Sequence, residues 1–139
     1  MNAMSVHTGP GCKQQTNGFS GNFMMAGSSR NDCNVHTTSS QGCGVRSNDK
    51  TSYGQPFNKA TGGVYALQWT TGGIKIFHFQ RKQIPADIKA GKPNPTKWGK
   101  PDNFIHPDGC NPRQFKNLML VVRSFLRFPP PSFSYRTSC

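Results

Sequence analysis

The sequence predicts an all-β protein: strands joined by long loops in a sandwich or jelly-roll arrangement, with a short helical turn. Three observations carry this. Only 33% of the 139 residues are hydrophobic, while Gly (15) and Pro (11) are abundant, a balance that favours strands and turns over long helices. Val64 to Phe79 reads as two β-prone runs around a glycine break, the pattern of a hairpin. No apolar run approaches the ~20 residues of a membrane span. The longest, Leu118 to Val122, has the length of a strand. A chain of this size corresponds to one domain or part of one.

Along the chain, Met4 to Thr8 is a candidate strand closed by Gly9-Pro10-Gly11. Lys13 to Ser40 is rich in Gly, Ser and Asn around one apolar island, Phe23-Met24-Met25-Ala26, and reads as long loops about a single strand. In the hairpin, Tyr65, Leu67 and Trp69 share one face, and Val64, Ala66 and Gln68 share the other. Apolar residues on both faces suggest a strand buried in a sandwich. Ile84-Pro85-Ala86-Asp87-Ile88 suits a short helical turn with Pro85 at its first position, ended by Gly91. Lys92 to Asp108 is a Pro- and Asn-rich excursion containing Trp98, expected to pack that loop down. Phe77 and Phe79 are expected in the core. His78 and His106 stand isolated, at the surface or hydrogen-bonded. Phe115 to Val122 resumes a strand pattern. Arg123 to Cys139, with Pro129-Pro130-Pro131, loses all periodicity.

Cys12, Cys33, Cys43, Cys110 and Cys139 are spread through loops and the terminus with no C-x-x-C pair, which suits disulfides better than metal and leaves an odd thiol. Cys33, His36 and Cys43, with Cys12 as a fourth ligand, match no standard zinc spacing, and no metal or other cofactor is expected. Met1 to His7 has neither a basic nor an apolar region of a secretory signal. Disulfide character without a signal suggests further sequence upstream. The net charge is +12, and twelve of the seventeen Lys and Arg lie at or after Lys75. Such a surplus attracts polyanions non-specifically. Its patterning favours a solvated face and a basic tail over a nucleic-acid site. No N-x-S/T acceptor occurs, Asn94-Pro95-Thr96 being excluded by its proline.

A colinear series of motifs then stands out. Met4-Ser5-Val6-His7-Thr8-Gly9-Pro10-Gly11-Cys12 opens it, followed by Gly42-Cys43-Gly44-Val45 and Ser52-Tyr53-Gly54 through Phe57-Asn58. Gly62-Gly63-Val64-Tyr65-Ala66-Leu67-Gln68-Trp69-Thr70, Ile74-Lys75-Ile76-Phe77, Arg81 and Ile84-Pro85-Ala86-Asp87-Ile88 continue it. Asn94-Pro95 through Trp98-Gly99, Asn103-Phe104, Gly109-Cys110 and Phe115-Lys116-Asn117 complete it. In this order they resemble the second half of the fungal-type endo-1,3(4)-β-glucanases (laminarinase-like) of glycoside hydrolase family 16, over roughly residues 3 to 122.

The resemblance implies an incomplete β-jelly roll of the concanavalin-like sandwich type. Residues 1–122 would be the C-terminal part of the catalytic domain, and 123–139 a non-family, disordered tail that replaces the family's ending, as a shifted reading frame would. The family is extracellular and hydrolyses β-glucans with retention, using two glutamates on an E-x-D-x-x-E strand. Retaining chemistry needs two carboxyl groups about 5–5.5 Å apart. This chain has no glutamate, and its acids are Asp32, Asp49, Asp87, Asp102 and Asp108, none closely paired on a strand. No catalytic residue is therefore expected in the chain, which should be inactive alone. The resemblance leaves His7, beside the acid/base position, and Trp69, on a strand facing the cleft, as candidate substrate-binding residues. A flat aromatic against a sugar face is a common way to hold a glucan. The alternative for Trp69 is packing between sheets. The expected partner is β-glucan, weakly held, with no membrane and no defined protein partner. The other functions weighed are a non-catalytic glucan-binding module and a basic protein that binds nucleic acid or another polyanion.

Overall fold

The computed structural model describes residues 2–116. The expected strand Leu118–Val122, the unpaired Cys139 and the basic tail 123–139 lie outside the described residues.

Among the described residues six strands form two antiparallel three-stranded sheets. In the first, β3 (Cys43–Arg46) lies between β1 (Ala3–Val6) and β2 (Asn22–Phe23). In the second, β5 (Gly73–Gln80) lies between β4 (Gly63–Thr70) and β6 (Asn103–Ile105). Helices α1 (Gly54–Lys59) and α2 (Ala86–Lys89), with three single-turn 3-10 segments, occupy the connections.

The β4–β5 hairpin follows from its sequence. β-Branched and aromatic residues alternate on both arms, which suits a pleated surface. Val64 pairs with Phe79 and Thr70 with Gly73, leaving Thr71-Gly72 as the turn. Gly73 leaves the turn with φ +106°, and a Cβ there would press on the Ile105 carbonyl oxygen. Only glycine fits that position without strain.

Pairing across the ladder puts Ile74, Ile76 and His78 of β5 on one face with Ile105 and Asn103 of β6. This face packs on the first sheet. Ile74 and Ile105 cluster with Cys12, Cys33, Cys43 and Cys110, while Ile76 and Phe104 pack against Met4, Phe19 and Val45. The buried Gln14 amide donates to Asn103 Oδ1 at 2.6 Å, and Asn103 Nδ2 donates to the Met4 carbonyl at 3.1 Å. Two disulfides, Cys12–Cys110 and Cys33–Cys43, close the framework. The first ties the loop after β1 to the loop after β6, and so joins the two sheets.

The other face of β5 is covered by its own loop. Phe77 and Phe79 stack 6.1 Å apart, and Trp98 sits edge-on to them at 5.1 and 5.5 Å. Trp98 Nε1 donates to Asp87 Oδ2 at 2.8 Å, as the Asn94 N–H does at 2.6 Å. Trp98 thus packs its loop down, as read from the sequence. Phe77 is buried at 2% exposure, and Phe79 is half-buried.

Four local expectations change. Pro85 caps α2 from outside and Ala86 is its first residue. Gly91 ends it with φ +68° and donates to the Ile88 carbonyl. The Phe23–Ala26 island contributes only Phe23 to a strand. The Lys92–Asp108 excursion contains β6, which no pattern announced. Among the described residues β4 is an edge strand with one open face, not a strand buried on both: Tyr65, Leu67 and Trp69 are 44–46% exposed. The residues of the second sheet that join the core clusters come from β5 and β6.

Candidate functional site

His7 follows directly on β1. The chain there is held by Thr8, whose N–H donates to the Cys33 carbonyl and whose carbonyl accepts from the Val35 N–H. Pro10 and Gly11 then turn it toward Cys12. The Cys12–Cys110 bridge and the Lys13 N–H to Gly109 carbonyl bond of 2.7 Å bring the segment after β6 alongside. That segment is a 3-10 turn, Pro112–Gln114, capped by Asn111 Oδ1, which accepts from the Arg113 N–H. The two segments enclose a groove of about 760 Å³, lined among others by His7, Pro10, Val35, Arg113, Phe115 and Lys116.

Trp69 stands outside this lining. Its ring meets Phe115 edge-on with centroids 5.9 Å apart. Phe115 therefore lines His7's groove and also touches Trp69. The sequence reading named His7 and Trp69 but not the residue that links them, nor Arg113 and Lys116. Phe115 and Lys116 belong to the motif series, but nothing local gives them a place in the site or marks Arg113 at all: all three are brought there by a disulfide spanning 98 positions. Gln68 points to the face opposite Trp69 and pairs across the ladder with Lys75.

The carboxylates gather elsewhere. Asp49 and Asp102 both meet the buried His78: its Nδ1 lies 3.2 Å from Asp49 Oδ2, and its backbone N–H donates to Asp102 Oδ2 at 2.9 Å. Asp49 Oδ1 accepts from the Thr51 N–H and hydroxyl, and Asp49 Oδ2 accepts from the Gln80 amide at 3.1 Å. Asp102 Oδ1 accepts from the Ser47 hydroxyl at 2.7 Å. All four oxygens are thus engaged by the protein. Burial pushes the Asp49 carboxyl up, but the bonds from Thr51 and Gln80, helped by His78, outweigh it and hold the group below the usual carboxylate value. Burial raises the Tyr65 phenol, and the charges of Asp49 and Asp102 add to the rise. The cluster locks the β3–α1 loop to β5. It offers no free acid and nucleophile facing an open cleft, as glycoside cleavage requires.

Among the described residues no group of three or more His, Cys, Asp or Glu side chains could hold a metal ion. Cys33 and Cys43 bond to each other, which removes both thiols from the zinc arrangement weighed above. His106 lies 3.2 Å from Asp108.

Residues 1–126 match the family model described as the XgeA-like catalytic GH16 domain. The chain belongs to glycoside hydrolase family 16. This GH16 chain is 37% identical over 114 residues to an endo-1,3(4)-β-glucanase of Arthroderma benhamiae, covering 78% of the chain and 24% of that protein. A probable glycosidase of Schizosaccharomyces pombe is 39% identical over 103 residues, 72% of the chain and 24% of its own length. The GH16 chain thus spans about a quarter of these curated relatives.

Among solved structures it superposes on a mutant Laminarinase 16A that cyclizes laminariheptaose, with TM-score 0.71 and 34% identity, over 84% of this chain and 39% of that one. An elongating GH16 β-1,3-glucosyltransferase gives TM-score 0.72 at 31% identity, over 83% and 37%. Laminarinase 16A from Phanerochaete chrysosporium, which holds β-glucans in donor and acceptor sites, gives 0.68 at 34% identity, over 81% and 38%. These neighbours establish the all-β jelly-roll class of the GH16 chain. No helix among the described residues is long and apolar enough to cross a membrane.

Proposed function

We propose that this chain is the C-terminal part of an extracellular GH16 β-glucan hydrolase domain and that it holds β-1,3/1,4-glucan without cutting it. The carrying observation is chemical. The family's reaction runs on two glutamates, the chain has none, and its two convergent aspartates spend every oxygen on the fold. What remains suits binding: the groove beside His7, floored by Phe115, and the exposed Trp69 ring next to it. Sugar rings lay their C–H faces on such aromatics while hydroxyls meet polar groups at the rim. Residues 123–139 are proposed to contribute nothing to the site.

The test is a pair of assays on the whole chain. Incubation with laminarin should release no reducing ends; measurable release defeats the non-hydrolytic reading. Retention on insoluble β-glucan should occur and should fall at least about threefold for Trp69→Ala, the loss of one exposed stacking contact. Retention unchanged by that substitution removes Trp69 from the site.

A further inference from the structure

The groove beside His7 carries more positive charge than a neutral polysaccharide can use. Arg113 and Lys116 stand exposed along it, and neither meets a carboxylate among the described residues. His7 adds an imidazole to the lining, whose apolar part is Phe115, Pro10 and Val35, beside Thr8 and Gln114. No acid of the described chain offsets these cations, because every aspartate is engaged elsewhere. Asp49 and Asp102 sit at His78, Asp87 at Trp98, Asp32 at Thr37 and Asp108 at His106. The whole chain carries +12, so the surrounding field reinforces the local one.

A ligand must satisfy both halves of this lining. The apolar floor suits the face of a sugar ring. The guanidinium of Arg113 presents a planar fork that matches the paired oxygens of a carboxylate or sulfate, and Lys116 adds a mobile point charge. A neutral glucan would displace water from both cations and return no charge. A polyanion without the ring would leave Phe115 uncovered. We propose that this groove selects β-glucan bearing anionic substituents, carboxylate or sulfate, over the neutral polymer, with Arg113 and Lys116 as the selecting residues. This rests on the glucan-binding reading above and adds the substrate class.

The experiment measures equilibrium binding of the full chain to four polymers of matched length: laminarin, sulfated laminarin, carboxylated laminarin and dextran sulfate. The two anionic laminarins should bind about tenfold tighter than laminarin, the effect of one charge-assisted contact. Dextran sulfate, with the wrong backbone, should bind weaker than sulfated laminarin. The double variant Arg113→Gln/Lys116→Gln should lose that tenfold advantage and flatten the salt dependence by about one to two counterions. Lys89→Gln/Lys92→Gln, which removes the same charge outside the groove, should change little.

Equal affinity for neutral and anionic laminarin overturns the inference and leaves glucan binding standing. Dextran sulfate binding as tightly as sulfated laminarin overturns it in favour of a bare polyanion site, as does equal damage from the Lys89/Lys92 variant. Failure of every laminarin to bind defeats both the inference and the reading beneath it.

Discussion

Removing the Cys12–Cys110 disulfide should cost this protein more than removing Cys33–Cys43, and the difference can be worked from the chain. The first bridge spans 98 positions and the second 10. In the chain-entropy model, cross-linking a loop of ~100 residues is worth about 4.7 kcal/mol at 25 °C, and one of ~11 residues about 2.8 kcal/mol. Both pairs are at most 1% exposed, so the local packing lost is similar and the entropy of the unfolded chain decides the order. A small domain holds only about 5–15 kcal/mol in total. Cys12→Ala/Cys110→Ala should therefore sit near the edge of folding, while Cys33→Ala/Cys43→Ala should survive. The gap of about 1.9 kcal/mol is roughly a 25-fold difference in the folding equilibrium. Urea unfolding of both double variants, followed by tryptophan fluorescence, measures it. The m value should rise more for the long-loop variant, whose unfolded chain expands further. Equal or greater loss for the short-loop variant would refute the reasoning, as would a disulfide map showing other pairings.

Three more outcomes follow from the same geometry. Asp102→Ala leaves the His78 N–H and the Ser47 hydroxyl without their acceptor, and should lower stability by about 1–3 kcal/mol in thermal or urea unfolding. Asp49 is held below its ordinary value, so it stabilises the fold above the unfolded carboxylate value near pH 4 and loses that contribution as pH falls through its folded value. The melting temperature should accordingly fall below about pH 4, and Asp49→Asn should flatten that decline; an unchanged slope would remove Asp49 from the acid response. Leu67→Lys places a charge in the exposed Tyr65–Leu67–Trp69 stripe on an edge strand that carries none. Sedimentation should then show less self-association with stability changed by less than about 0.5 kcal/mol.

The sequence alone determined the all-β class, the β4–β5 hairpin and the disulfide chemistry. Each rests on local chemistry: a period of two, a glycine turn that a Cβ would block, and cysteines too dispersed for a metal site. The motif series also pointed to the family, since colinear short patterns survive where single ones do not. The absence of glutamate was legible at once, although only the structure showed that the aspartates convergent on His78 are fully hydrogen-bonded.

What tertiary structure decided is what depends on distant neighbours. α1 has six residues and a proline at Pro56, too short for an amphipathic pattern. β6 has three residues among prolines and exists because Ile105 pairs with Ile74 and seals the core. Alternation placed Tyr65, Leu67 and Trp69 on one face, but whether that face is covered depends on the reach of the opposite sheet. The groove is the clearest case. His7 was readable from its motif, whereas Phe115, Arg113 and Lys116 join it only because the Cys12–Cys110 bridge and the Lys13–Gly109 hydrogen bond fold the far segment back beside it. Sequence pattern carries information over a few residues. A binding surface assembled across a hundred is fixed by the long-range contacts that close it.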